Sequence, residues 1–247
     1  METWRFFDIT HRQHVICNPS SLEKYQQLID LLPLAPGATV LEIAMGKGEF
    51  IIRLAEQRGI NGVGVDISPY CVRDARTKLA ARAPDAHVTF LQMDGADYQP
   101  DEPESFDLAV CLGASWIFDG HAGTLAGLHA MTRPGGRILV GEPYWRQEPD
   151  PDYLRSAGFE RSQFGTHYAN VMTGQDLGLT LLYTIVSTLD EWDRYVGLRW
   201  LAAEDYAQAH PQDPDAPELL ERVRHEKQDY LRWGRDTLGW ALYLFRK

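Results

Sequence analysis

The stretch from Val40 to Asp66 constrains the fold of this chain more than any other. An apolar run, Val40-Leu41-Glu42-Ile43, breaks at Ala44-Met45-Gly46-Lys47-Gly48. Apolar residues resume at helical spacing through Phe50, Ile51, Leu54 and Ala55, and a second apolar run then closes on Asp66. A strand, a helix and a strand in that order make one β-α-β unit, with a small-residue turn after its first strand. Glycines in such a turn let backbone N–H groups approach a ligand. The helix that follows points unpaired donors and the positive end of its dipole at the same place. Asp66, 20 positions beyond Gly46, closes the second strand at the C-terminal edge of the sheet. A carboxylate there accepts both hydroxyls of a ribose. The unit therefore reads as a nucleoside site.

Strands and helices keep alternating downstream. Ser68-Pro69 opens a helix that carries Val72, Ala75 and Leu79 and stops before Pro84, and His87 to Leu91 is a third strand. Phe106 to Leu112 is a continuous apolar strand of the kind buried on both faces. A helix near 121 to 132 then leads through Arg133-Pro134-Gly135-Gly136, a tight turn, to a fifth strand over Arg137 to Gly141. Such alternation predicts an α/β fold with a mostly parallel, doubly wound sheet. Leu179 to Val186 and Leu238 to Phe245 bring the strands to seven, and residues 146–178 are expected to form short helices. Between the last two strands, Thr188 and Glu191 open a helix with Trp192, Tyr195, Val196, Trp200 and Ala203 on one stripe. Asp215, Pro217 and Glu218 open another, which Gly234 closes.

Upstream, Ser20 and Glu23 form a capping box for a helix that carries Leu22, Tyr25, Ile29 and Leu32 to Pro33. Residues 1–19 hold Trp4, Phe6, Phe7, His11, His14 and Asn18-Pro19, too aromatic for a free tail and too irregular for a helix. The expected organisation is one domain over 1–247, with an N-terminal cap segment (1–37), a cofactor-binding core (38–145) and a helical insert (188–236).

A formal net charge of −11 argues against a nucleic acid partner, whose phosphates call for basic patches. No apolar run approaches the roughly 20 residues of a membrane span, and Met1 leads into Trp-Arg-Phe-Phe-Asp rather than a signal core. The expectation is a cytoplasmic protein without a membrane partner. The three cysteines, Cys17, Cys71 and Cys111, are scattered and lack metal-ligand spacing. Cys71 and Cys111 read as buried or incidental thiols, and the set suggests neither a disulfide frame nor a metal site.

Glycine-rich turns serve nicotinamide, flavin and S-adenosylmethionine proteins alike. Taken together and in order, the residues above resemble the class I S-adenosylmethionine-dependent methyltransferases over 38–145, and the terminal strand pair is similar to that family's reversed sheet edge. A closer resemblance, to stand-alone bacterial methyltransferases of unassigned substrate, lies in Asn18-Pro19, Gly113-Ala114-Ser115-Trp116, Gly141-Glu142-Pro143-Tyr144-Trp145 and Glu191-Trp192-Asp193-Arg194-Tyr195. The resemblance implies a Rossmann-like, mostly parallel seven-stranded sheet with a reversed last strand. It also implies S-adenosylmethionine as cofactor and S-adenosylhomocysteine as product. The family's first motif, acid-x-Gly-x-Gly-x-Gly, appears as Glu42, Ala44, Gly46 and Gly48. Gly46 and Gly48 would line the methionine moiety, with Glu42 at its amino group. Asp66, beside Ile67, would hold the ribose hydroxyls, and Asp94, with Gly95 and Ala96, the adenine. Leu112 and Gly113 would meet the methionine part through their backbone. Ala44 replaces the first glycine, and an alanine is tolerated there if its φ is negative.

Methyl transfer is an in-line displacement, so the protein mainly aligns the acceptor, and a base is needed only where the acceptor must lose a proton. Glu142, at the end of an apolar strand, and His14 are the candidate catalytic groups. Glu142 would bind a cationic or proton-bearing acceptor or act as base; otherwise it caps a helix or pairs with an arginine. His11, Ser115, Trp116, Tyr144 and Trp145 are the candidate substrate contacts. Tyr25 and the Trp192, Tyr195 and Trp200 stripe read as packing, but the aromatic N-terminus and the insert together would enclose a small, partly apolar acceptor. Two alternatives stand beside this one. A nicotinamide-dependent oxidoreductase shares the β-α-β unit and Asp66, but the chain lacks an intact GxGxxG and a Tyr-x-x-x-Lys pair. A non-catalytic S-adenosylmethionine-binding module would keep the fold without turnover.

Overall fold

The computed structural model describes residues 1–247. Its sheet has seven strands: β1 Thr39–Ile43, β2 Asn61–Asp66, β3 Val88–Gln92, β4 Phe106–Leu112, β5 Thr132–Trp145, β6 Thr180–Val186 and β7 Leu238–Arg246. They lie in the order β3-β2-β1-β4-β5-β7-β6. The first five run parallel, and β7 is antiparallel to both β5 and β6. Nine helices surround them: α1 Thr3–Thr10, α2 Leu22–Leu31, α3 Glu49–Arg58, α4 Pro69–Arg82, α5 His121–Met131, α6 Pro151–Ala157, α7 His167–Asp176, α8 Leu189–Ala209 and α9 Ala216–Asp229, which runs on through a π-helical turn at Tyr230–Gly234 to Thr237. This is the Rossmann-like sheet with a reversed last strand. Chain order reverses direction between β1 and β4, and the crevice beyond the C-terminal ends of those two strands is where open α/β sheets take ligands.

Strand parity divides the core. Val40 of β1, Leu108 and Val110 of β4 and Leu139 of β5 pack with α2 and α3 in one apolar cluster. Leu41, Ile43, Ala109, Cys111, Ile138 and Val140 pack with α5 in another on the opposite face. A smaller third cluster joins Phe6 and Ile9 of α1 to Ala203 of α8 and Leu219 and Val223 of α9.

Four expectations change. Residues 3–10 are a helix, capped by the Glu2 carboxylate on the N–H groups of Trp4 and Arg5. Its apolar pattern looked irregular because two sides are covered: Phe6 and Ile9 meet α8 and α9, whereas Trp4 and Phe7 turn toward the sheet edge. The cap of α2 is Ser21, not Ser20. The Ser20 hydroxyl instead accepts the Trp240 indole N–H at 3.2 Å. Pro134-Gly135-Gly136 lies within β5, where the register with β4 jumps from Phe106↔Thr132 to Leu108↔Arg137. Gly234 does not close its helix: its φ is −58°. A Cβ there would sit 2.9 Å from the Tyr153 hydroxyl, so close packing explains the glycine.

Candidate active site

The turn after β1 has Ala44, Gly46 and Gly48 all at positive φ, 52°, 55° and 66°. Gly48 is required twice over, since a Cβ would also come within 3.2 Å of Ala75. Ala44 is not at the negative φ expected of an alanine. It occupies the left-handed region, where a methyl group costs about 1–2 kcal/mol. Neighbouring contacts hold the turn in this shape. The Asp66 carboxylate accepts the Gly46 N–H on Oδ2 and the Ser68 N–H on Oδ1, both at 2.8 Å. Each oxygen keeps a further lone pair. The Lys47 ammonium donates to the His11 carbonyl at 3.0 Å, which ties the turn to the end of α1.

Burial governs the charge of the two acids at this edge. It raises Asp66 to about 6, against the lowering effect of its two backbone hydrogen bonds. Glu42, 2% exposed, accepts the Ile51 N–H at 3.1 Å, and burial pushes it up to about 8.

These groups border a cavity of about 640 Å³, inside the roughly 300–1,000 Å³ of small-ligand sites. Of the residues expected at the cofactor, Glu42, Ala44, Gly46, Asp66, Ile67, Asp94, Gly95, Leu112 and Gly113 line it; Gly48 and Ala96 do not. Asp94 accepts the Ala96 N–H on Oδ1 at 3.0 Å. Gly95 lies flush on Ile43, 2.5 Å from where a Cβ would stand.

The expected acceptor contacts divide differently. His11 and Trp116 line the cavity, Trp116 at its mouth with 71% exposure. Glu142, His14, Ser115, Tyr144 and Trp145 do not. Strand parity is the reason for Glu142 and Tyr144: they share a face of β5 with Val140, the face covered by α5 and α7. Glu142 is 1% exposed, accepts the Ser115 hydroxyl at 3.1 Å, and has its Oε2 3.8 Å from His121 Nδ1. Burial raises it to about 7. Tyr144 packs on His167, and Trp145 enters a cluster with Tyr153, Phe159 and Phe164.

The two N-terminal histidines have distinct tasks. His14 Nε2 lies 2.8 Å from the Tyr195 carbonyl, which can only accept, so this nitrogen carries the proton and moors the segment to α8. His11 Nδ1 lies 3.2 Å from the Phe7 carbonyl and is protonated for the same reason. Its Nε2 lone pair then accepts the Tyr195 hydroxyl at 3.0 Å. Burial holds both rings neutral, His14 at about 4 and His11 well below its ordinary value.

Several lining residues escaped the sequence reading: Trp4 and Phe7, Cys17 and Cys71, Asn18, Tyr25 and Tyr195. The proximity of the two thiols lowers Cys17 and, together with burial, raises Cys71. The available signal was helical spacing. Trp4, Phe7 and His11 form an i, i+3, i+7 stripe that becomes legible once Phe6 and Ile9 are assigned to the other side.

A doubly wound sheet with a reversed β7 and acids at the ends of β1, β2 and β3 is the frame of a nucleoside-cofactor protein, and its likeness to known proteins shows that the chain belongs to the class I S-adenosylmethionine-dependent methyltransferases. Residues 40–136 match the family described as "Methyltransferase domain". The chain is 32% identical to YjhP of Escherichia coli K12 over 245 residues, 98% of each protein, and superposes on its X-ray structure with a TM-score of 0.91. It is 34% identical to a SAM-dependent methyltransferase of Geobacter sulfurreducens crystallised with S-adenosylhomocysteine, with a TM-score of 0.91 and coverage of 98% and 97%. A more distant relative is the trans-aconitate 2-methyltransferase of Paracidovorax citrulli, 27% identical over 67% of this chain and 64% of that protein.

The protein is therefore an S-adenosylmethionine-dependent methyltransferase, and the nicotinamide reading falls. The cavity's chemistry fits the cofactor, with buried carboxylates for a diol and an ammonium and positive-φ backbone between them. No helix is long and apolar enough to cross a membrane.

Proposed function

We propose that the methyl group passes to a small organic acceptor, at oxygen, nitrogen or sulfur. The acceptor would be held between α1, α8 and the loop after β4. The observation that carries this reading is the division of one cavity. Its sheet edge holds Glu42, Asp66 and Asp94, and its far side is roofed by Trp4, Phe7, His11, Tyr195 and Trp116. An aromatic roof over the crevice suits a small, partly apolar molecule and shuts out a macromolecule. The name of the trans-aconitate relative, an enzyme of a small acid, supports the same class.

S-adenosylmethionine, when bound, supplies a methyl group on positively charged sulfur. Asp66 holds the ribose hydroxyls with its remaining lone pairs, Asp94 stands at the adenine, and Glu42 faces the ammonium. The N-terminal segment excludes water and fixes the acceptor in line, the alignment on which such a displacement depends. Because the Tyr195 proton is committed to His11 Nε2, the Tyr195 oxygen is left as an acceptor for an O–H or N–H of the substrate. His11 and Tyr195 thus take the place that Glu142 and His14 held in the sequence reading.

Incubation with methyl-labelled S-adenosylmethionine against panels of phenols, carboxylic acids, amines and thiols, with RNA and protein in parallel, tests the acceptor class. Label is expected in the low-mass fraction, and label in RNA or protein would overturn the proposal. Asp66→Ala should weaken S-adenosylhomocysteine binding by about tenfold or more, since a buried diol loses its charged acceptor. Unchanged affinity in a calorimetric titration would refute the ribose assignment.

A further inference from the structure

Asn18 carries an atom that the fold leaves without a partner. The residue is 6% exposed and lines the cavity. Its Nδ2 donates to the Tyr25 hydroxyl at 2.9 Å and to the Leu112 carbonyl at 3.2 Å, so both amide hydrogens are committed. The Leu112 carbonyl can only accept, which fixes the orientation of the amide. Oδ1 is then buried with no hydrogen-bond partner in the protein. Buried amide oxygens are rarely left so, and one that borders a ligand cavity points to a ligand donor.

Tyr25 completes the arrangement. Its hydroxyl receives the Asn18 proton, so its own O–H has to be directed elsewhere, and it borders the same cavity. The ring is held by an edge contact with Phe50, at 5.2 Å between centroids. Glu42, on the same cavity wall, keeps lone pairs beyond the one taken by Ile51. One acceptor, one donor and one carboxylate therefore meet beside the end of β4. A group bearing an ammonium next to a carboxylate satisfies all three.

We propose that Asn18 and Tyr25 bind the amino-acid end of the cofactor, with Asn18 Oδ1 accepting from the α-ammonium and the Tyr25 hydroxyl donating to the α-carboxylate. This rests on the orientation proposed above, with the ribose on Asp66 and the methionine part at Leu112. Neither residue belongs to the β-α-β unit. The segment that roofs the acceptor space is thereby fastened to the cofactor itself, so cofactor binding shapes the acceptor side.

The test compares two ligands that differ in the amino-acid end. S-adenosylhomocysteine carries it, and 5′-methylthioadenosine keeps the adenosine and sulfur without it. Affinities are measured by calorimetry for the wild type, Asn18→Ala, Tyr25→Phe and Asp66→Ala. Asn18→Ala should bind S-adenosylhomocysteine about tenfold more weakly and 5′-methylthioadenosine within about twofold of wild type. Tyr25→Phe, which keeps the packed ring and so folds whether or not Asn18→Ala does, should show the same selectivity at about three- to tenfold. Unchanged S-adenosylhomocysteine affinity in Tyr25→Phe, or parallel losses for both ligands in either variant, would overturn the proposal. Asp66→Ala should weaken both ligands together. If it spares both, the ribose assignment fails, whereas the selectivity of the other two variants still decides the roles of Asn18 and Tyr25.

Discussion

Glu42 and Glu142 lie on opposite faces of one sheet, and burial raises both, to about 8 and about 7. A carboxyl whose folded pKa lies above its unfolded value of about 4.5 binds its proton more tightly in the native state. Its contribution to stability is whole below that value and is lost as pH rises through the folded pKa. Glu142→Gln keeps an oxygen for the Ser115 hydroxyl and offers an N–H to His121 Nδ1. The variant should therefore lose less thermal stability than wild type between pH 4.5 and 7 and melt higher at pH 8; parallel melting curves across that range would exclude a buried titrating Glu142. Ala44 makes a second residue-scale case. Ala44→Gly removes left-handed strain of about 1–2 kcal/mol, offset by about 0.4–1 kcal/mol of extra freedom in the unfolded chain. A net gain of up to about 1.6 kcal/mol corresponds to a rise of up to about 3–6 °C in Tm for a chain of this size. A lower Tm would mean that the alanine methyl has a packing role that outweighs the strain.

At the level of elements, α1 works on two sides. Phe6 and Ile9 bind it to α8 and α9, and Trp4, Phe7 and His11 face the cavity. Ion pairs of Arg5 with Asp213 and Asp215 reinforce the first contact. Phe6→Ala removes a fully buried ring, a change that costs about 3–5 kcal/mol in well-packed cores. In a satellite cluster the loss should appear locally: hydrogen exchange over residues 3–17 should quicken while β1 and β4 keep their protection. Uniform loss of protection would show α1 to be part of the main cooperative unit. Single-sequence reading missed α1 because a helix covered on two sides has no single apolar stripe. It also assigned Glu142, Tyr144 and Trp145 to one site, although Glu142 and Tyr144 share one face of β5 and Trp145, the next residue, points to the other.

Across the whole molecule, the cavity is assembled from segments far apart in the chain, and its thiols report on that assembly. Cys17, from the N-terminal segment, and Cys71, from α4, both border it, whereas Cys111 is wholly buried in β4. S-adenosylhomocysteine should protect Cys17 and Cys71 from N-ethylmaleimide, with Cys111 unmodified throughout. Mass spectrometry of the labelled peptides checks this, and equal labelling of Cys17 with and without ligand would place the ligand elsewhere.

Much was legible in the chain itself. The β-α-β unit, the acid at the end of β2 and the alternation that makes a parallel sheet follow from local apolar periodicity and turn residues, which act over a few positions, whereas the reversed β7 was implied by the family resemblance alone. Tertiary structure decided the rest. Which face of β5 carries Glu142, which side of α1 meets the cavity, and how Asn18 reaches both Tyr25 and Leu112 depend on contacts between residues as many as 210 positions apart. Such contacts are set by packing and by the need to satisfy buried polar groups, and no local pattern in the sequence records them.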